Sequence, residues 1–196
     1  MDEPVRGAQE FSLADQDEVN CPMHGWLSHA AFHEAAHAAF AVMNDIEFST
    51  VSVYPYGQAP AHPSGLLGGG VQLVHDGRTW VPGRQDVAFD FAVIGTAAER
   101  RAYGHFNDNS RDGDREFLRV SMGWGDSEGD REIMDALIEE SEKRLELQMP
   151  ILYPAIGKVF LALIESLNIK DNAYTTFDQP LVLSSAKVSK IIGPTV

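Results

Sequence analysis

The chain has one cysteine, no long apolar run and few basic residues. Cys21 has no second cysteine to pair with, which excludes an internal disulfide and fits a reducing compartment. No stretch approaches the roughly 18 consecutive apolar residues of a membrane-spanning helix, so no span is predicted. Residues 1–18 are acidic and polar and lack the apolar core of a secretory signal. We therefore expect a cytoplasmic protein.

The shortage of basic residues excludes several classes of partner. Only 15 Lys and Arg stand against 29 Asp and Glu, which gives a net charge of −14. Nucleic-acid binding requires clustered basic residues, and an anionic membrane surface would repel this charge. The chain also lacks the G-x-x-x-x-G-K-[ST] phosphate loop. We expect no nucleic acid, no membrane partner and no ATPase activity from these residues.

The 196 residues, 44% of them hydrophobic, suffice for one domain with an extension. We assign residues 1–25 to an acidic extension and residues 26–196 to the domain. Hydrophobic periodicity predicts an α+β fold that is mainly helical with a small β element. The predicted helices are 30–43, 86–103, a turn and helix within 110–124, 128–148, 150–167 and 184–192; the predicted strands are 48–54 and 70–74, with a loop over 55–65.

Residues 33–37 form the H-E-x-x-H pattern, His33-Glu34-Ala-Ala-His37. Imidazoles four residues apart share one helix face and can bind one zinc ion, while the glutamate between them can accept a proton from water. Ser28 is a candidate N-cap, and the alanine-rich run after it contains no glycine or proline before Asn44. The alternative is a helix that carries two histidines by coincidence.

A catalytic zinc site usually needs a third protein ligand and an open position. The acidic candidates are Glu99, Asp112 and Asp114, and spacing alone does not choose among them. His29 could share the motif's helix face, but three stacked histidines span too far to converge on one ion. The other histidines are interpreted as solvated surface residues: His24, His62, His75 and His105.

Four segments, in order, resemble the peptidase domain of FtsH-type zinc proteases. AFHEAAHA at 31–38 is similar to the family's zinc helix, usually HEAGHA, and FSTVSVYPYG at 48–57 is similar to its next strand and P-x-G turn. GTAAERRAYG at 95–104 resembles its GRAAEE…FG helix, and DGDREFLRVSMG at 112–123 its ND…A…V…MG helix. The resemblance covers roughly residues 26–170 and implies a zincin-like fold with a small β element beside the H-E-x-x-H helix.

The resemblance also implies roles for individual residues. His33, His37 and Asp114 would bind zinc, Glu34 would be the catalytic base, and Glu99 would hydrogen-bond a ligand histidine. The alternative for Glu99 is a solvated carboxylate on a helix surface.

The sequence departs from the family pattern near both parts of the predicted site. Ala36 replaces the glycine of the zinc motif, and Gly113 replaces the asparagine before the ligand aspartate. Asp112, two residues before Asp114, is the fallback ligand. The family's ATPase module has no counterpart in these residues.

The sequence therefore predicts an ATP-independent zinc metalloendopeptidase that hydrolyses peptides or unfolded proteins. One alternative is a zinc-binding regulatory or interaction protein of the same fold with little or no turnover. A purely structural zinc site is a third interpretation. A Cys21 thiolate in the fourth zinc position would hold the enzyme latent; the alternative is an ordinary isolated cysteine. The family's peptidase domains form hexamers, so the resemblance implies a homo-oligomeric ring; without the ATPase module, a monomer or a dimer is the alternative.

Overall fold

The computed structural model describes residues 22–54, 61–62, 65–66, 69–74, 84–106, 108–165 and 180–194. The helices are α1 (Pro22–Met43), α2 (Gln85–Tyr103), α3 (Asp108–Met122), α4 (Glu128–Ile164) and α5 (Ser185–Ile192). The strands are β1 (Phe48–Val53), β2 (Ala61–His62), β3 (Gly65–Leu66), β4 (Gly69–Leu73) and β5 (Leu181–Ser184). The mainly helical fold with a small β element is confirmed; Cys21 and most of the predicted extension lie outside the described residues.

Helix α1 is the centre of the core. It begins at Pro22 rather than after Ser28, so the predicted N-cap is wrong; proline suits a first helical position because the N–H it lacks has no partner there. Every side chain from 30 to 41 is buried. Most of these are alanines, so α2, α4, α5 and the sheet can all approach the helix closely.

Strand β1 is the middle strand of an antiparallel sheet ordered β4-β1-β5. Val51 pairs with Val71 on one side and with Leu183 on the other. The two predicted strands are confirmed as β1 and β4, whereas β5 was not predicted. The short β2–β3 pair lies within and just beyond the predicted 55–65 loop, which was partly wrong.

Helix α4 runs without a break through the point where two helices were predicted. Pro150 and Pro154 both lie inside it, so the prediction that Pro150 opens a new helix is wrong. Both prolines face solvent, where water can bond the carbonyls that the missing N–H groups leave. The predicted start at Ser127 is confirmed, because its side chain accepts a hydrogen bond from the Asp130 amide at 3.1 Å.

Among the described residues, α4 is also the one helix long and apolar enough to cross a membrane by length and composition. Its C-terminal half packs against α1 and α2 through buried residues, as a core helix does. These are Met149, Leu152, Ala155, Ile156, Val159, Phe160 and Leu163. Length and apolar composition alone do not distinguish a core helix from a membrane-spanning one.

Helix α2 is fixed against both α1 and α4. Its buried Asp90 accepts hydrogen bonds from the Ser141 hydroxyl at 2.5 Å and from the Arg144 guanidinium at 2.7 Å. A buried carboxylate needs such partners. Leaving a buried polar group without a hydrogen bond lowers the stability of the fold by about 1–3 kcal/mol, and by more when the group is charged. The helix ends at Gly104, whose φ of 75° is in the left-handed region that favours glycine, as predicted.

Candidate metal centre

Three side chains from α1 and α3 converge on one point. The Nε2 atoms of His33 and His37 are 3.0 Å apart. Asp114 reaches them from α3, with Oδ2 at 3.1 Å from His33 Nε2 and Oδ1 at 3.5 Å from His37 Nε2. A tetrahedral ion with bonds of about 2.0–2.2 Å separates its ligand atoms by about 3.3 Å. With one ligand atom taken from each side chain, the three atoms lie within 4.8 Å of one another, so the group could hold one metal ion.

The structure places the two neighbouring aspartates in different surroundings. Asp114 is 22% exposed and belongs to the group of His33 and His37, all of whose ligand atoms lie within 4.8 Å of one another. Asp112 is 67% exposed and lies 3.8 Å from the Arg111 guanidinium. Residues two apart on a helix point in different directions, so the fallback ligand is on the wrong face of α3.

Glu34 lies beside this group and is almost inaccessible, with 7% of the residue exposed. Strand β4 passes over it: a Cβ on Gly69 would lie 2.9 Å from the Glu34 carboxyl carbon and 2.7 Å from the Ser52 carbonyl oxygen. Burial raises the pKa of Glu34 to about 7, although the neighbouring His33 and His37 oppose the rise. A carboxyl group with this pKa can both accept and donate a proton near neutral pH.

His33 and Asp114 form an ion pair in the metal-free protein. Burial lowers the pKa of His33, but the Asp114 charge and hydrogen bond outweigh it and raise the value to about 10. Burial raises the pKa of Asp114, yet the His33 and His37 charges overcome this and leave it below its usual value. Asp114 is therefore already ionised and able to bind a cation at neutral pH, whereas His33 must lose a proton before it can bind one.

Because His33 is protonated in the metal-free protein, zinc binding should depend on pH. Below a pKa of about 10 the metal-free His33 is protonated, and zinc needs the neutral ring. We expect at least one proton, that of His33, to be released per zinc near pH 7, so that affinity rises about tenfold or more per pH unit from pH 6 to 8. Titration calorimetry in buffers of different ionisation enthalpy measures the release; an enthalpy independent of the buffer would contradict it.

Glu99 is brought to the site from α2, and it is wholly buried, with 0% exposed. Its Oε1 lies 3.7 Å from His33 Nδ1, on the side of the ring away from Asp114. The alternative of a solvated surface carboxylate is therefore wrong. The same Oε1 lies 3.5 Å from His29 Nδ1, and the His29 side chain is only 13% exposed.

Of the remaining histidines whose side chains are described, His29 and His105, neither belongs to the group of His33, His37 and Asp114. His105 is exposed, in agreement with its interpretation as a surface residue, and its Nδ1 lies 2.9 Å from the Tyr103 carbonyl oxygen. His75 and the side chains of His24 and His62 lie outside the described residues. Sequence reasoning missed two glycines, Gly69 and Gly95, that leave room for Glu34 and His33; a glycine inside the apolar α2 was the available signal.

Gly95 offers a direct steric test of the centre. A Cβ at this position of α2 would lie 2.6 Å from both Nδ1 and Nε2 of His33, closer than real Cβ atoms approach other atoms. Gly95→Ala should displace the ring and weaken zinc binding by about tenfold or more, as measured by chelator competition. Gly157→Ala is the matched control, because open space surrounds this α4 glycine. It should leave zinc affinity unchanged; equal affinities in both variants would contradict the packing.

Comparison of the sequence with known protein families and with curated proteins gives no match. Function must therefore be argued from the site itself.

Proposed function

We propose that the protein is a zinc-dependent metallopeptidase whose domain has the zincin-like fold of the FtsH-type peptidases. The observation that carries the proposal is the convergence of His33, His37 and Asp114 with Glu34 buried beside them. Two imidazoles and one carboxylate are a ligand set of catalytic zinc, which leaves a position open, whereas structural zinc is usually closed by four Cys or His ligands. The partial exposure of Asp114 supports access from solvent.

Four residues have distinct roles in the proposed hydrolysis: three bind the metal and one transfers a proton. His33, His37 and Asp114 hold the ion, which when bound supplies a Lewis acid that activates water and polarises a peptide carbonyl. Glu34 accepts the proton of the attacking water at its carboxylate and then donates it to the leaving amine. In the metal-free protein burial already raises the pKa of Glu34, which supports a role in proton transfer.

The sheet supports an extended peptide as the substrate. Strand β4 is an edge strand of the described sheet, and Gly69 at its start lies so close to Glu34 that an added Cβ would be 2.9 Å from the carboxyl carbon. No described atom lies within 4 Å of a Cβ built on Gly70. A peptide added along β4 would pair with the strand through backbone hydrogen bonds and place a carbonyl near the ion. Such pairing requires an unfolded segment.

Hydrolysis of an unfolded protein tests the proposal. Zinc-loaded protein should cleave labelled unfolded casein without ATP, and a zinc chelator should stop the reaction until zinc is restored. A compact disulfide-linked protein should resist cleavage until its disulfides are reduced and it unfolds. Failure of the zinc-loaded protein to cleave casein or a peptide library would reject the peptidase and leave a zinc-binding protein. Cleavage that the chelator does not affect would reject the role of the metal.

A further inference from the structure

A third histidine lies on the face of α1 that carries the metal centre. His29, His33 and His37 are spaced at four-residue intervals, so their rings stack along one side of the helix. The mechanism above uses only the last two. The His29 side chain is 13% exposed, and a mostly buried imidazole needs partners for its ring nitrogens.

Glu99 lies between His29 and His33. A single oxygen, Oε1, faces both rings, at 3.5 Å from His29 Nδ1 and 3.7 Å from His33 Nδ1. These separations exceed a hydrogen bond by a few tenths of an ångström, and such contacts often tighten when a site is filled. The wholly buried carboxylate is thus flanked by two imidazole nitrogens that can each donate a hydrogen.

The orientation of His29 is set by two further rings. Its centroid lies 4.3 Å from that of Tyr103 and 4.8 Å from that of His105. Both belong to the end of α2 and the residues that follow it, and the contact of His105 Nδ1 with the Tyr103 carbonyl holds this segment together. His29 is therefore packed against the same helix that supplies Glu99.

We propose that His29 is a positioning residue of the metal centre and acts through Glu99. His29 and His33 each donate Nδ1–H to the shared carboxylate. The bond to His33 fixes the tautomer in which Nε2 carries no hydrogen and faces the other two ligands. The three histidines of α1 then alternate with a carboxylate from α2 and one from α3. The order is His29, Glu99, His33, Asp114, His37. The inference rests on the proposed zinc site but not on peptide hydrolysis.

Zinc affinity in a double-mutant cycle tests the role. The dissociation constant is measured by competition with a chromophoric chelator for the wild type, His29→Phe, Glu99→Gln and the double variant. His29→Phe keeps a flat ring but removes the donor, and we expect affinity about tenfold weaker. The double variant should bind no more weakly than Glu99→Gln alone, because His29 has no path to the metal without the carboxylate.

Two readouts separate positioning from a merely structural role. His29→Gln can still donate to Glu99 through its amide, so it should recover most of the affinity that His29→Phe loses. The visible absorption of the cobalt-substituted protein should change in His29→Phe and not in His29→Gln, since it reports ligand geometry. Thermal unfolding of the metal-free variants checks the fold.

Several outcomes would overturn the inference. Unchanged zinc affinity in His29→Phe, or losses that add in the double variant, would remove the path through Glu99. If His29→Phe does not fold, nitrogen NMR of the zinc-loaded wild type can determine the tautomers of His29 and His33. A hydrogen on Nε2 instead of Nδ1 in either ring would contradict the inference. A wild type that binds no zinc rejects this inference and the proposed function together. Zinc binding without peptide cleavage rejects hydrolysis alone.

Discussion

Glu34→Gln is expected to reduce peptide hydrolysis by about 100- to 10,000-fold, the usual contribution of general acid–base catalysis. Glutamine has nearly the shape of glutamate, so it fits the buried space between α1 and Gly69. It cannot accept the proton of water, and its amide has no pKa near 7 to replace that of Glu34. The zinc ligands are untouched, so metal content should remain at about one ion per chain. Turnover of a fluorogenic peptide and elemental analysis measure the two quantities.

The control for Glu34→Gln is the same exchange at a solvent-exposed position. Glu132 lies on the exposed face of α4, so Glu132→Gln should retain wild-type hydrolysis and zinc content. Persistence of hydrolysis in Glu34→Gln would show that another group handles the proton. A loss of zinc together with activity would instead show that Glu34 helps to hold the metal.

Asp114→Asn should weaken zinc binding more than about 100-fold, beyond the 10- to 100-fold cost of losing an outer partner of a ligand. The neutral amide is a poor zinc ligand, and it also removes the charge that is paired with His33 in the metal-free protein. Chelator competition measures the affinity, and hydrolysis at limiting zinc should fall with it.

Asp112→Asn is a matched control two residues away on the same helix. Its carboxylate is 67% exposed and contacts only Arg111 among the groups described above. The exchange should change neither zinc affinity nor hydrolysis. If Asp112→Asn lost zinc and Asp114→Asn did not, the third ligand would be the wrong aspartate and the register of α3 against α1 would differ.

The H-E-x-x-H helix and its neighbours were predictable because local signals specify them. The four-residue spacing of His33 and His37 fixes their common face once the segment is helical. Gly104 and Ser127 mark helix ends through backbone conformation and capping, which depend on nearby residues alone. Such features need no knowledge of the tertiary fold.

Features that depend on distant partners were missed. β5 is four residues long and exists because β1 offers it an edge, so its own sequence carries little signal. Pro150 resembles a helix start locally, but the apolar residues around it are buried only if α4 continues. The choice of Asp114 over Asp112 needed the family resemblance, because the rotation of α3 against α1 is a tertiary property.

The packing of α3 has a consequence for how the site assembles. Among the described side chains of this helix, 111–122, only Leu118 is buried, yet α3 supplies the third ligand. With Leu118 and the partly buried Phe117 and Met122 as its apolar contacts, α3 is expected to open at lower free energy than the buried residues 30–41 of α1, so its amide hydrogens should exchange with solvent earlier. In the proposed zinc site, the ion could bind Asp114 only when α3 is docked, and zinc would therefore stabilise the packing of α3 against α1. The concentration of available zinc would then affect both the proposed hydrolysis and the time for which α3 stays docked on α1.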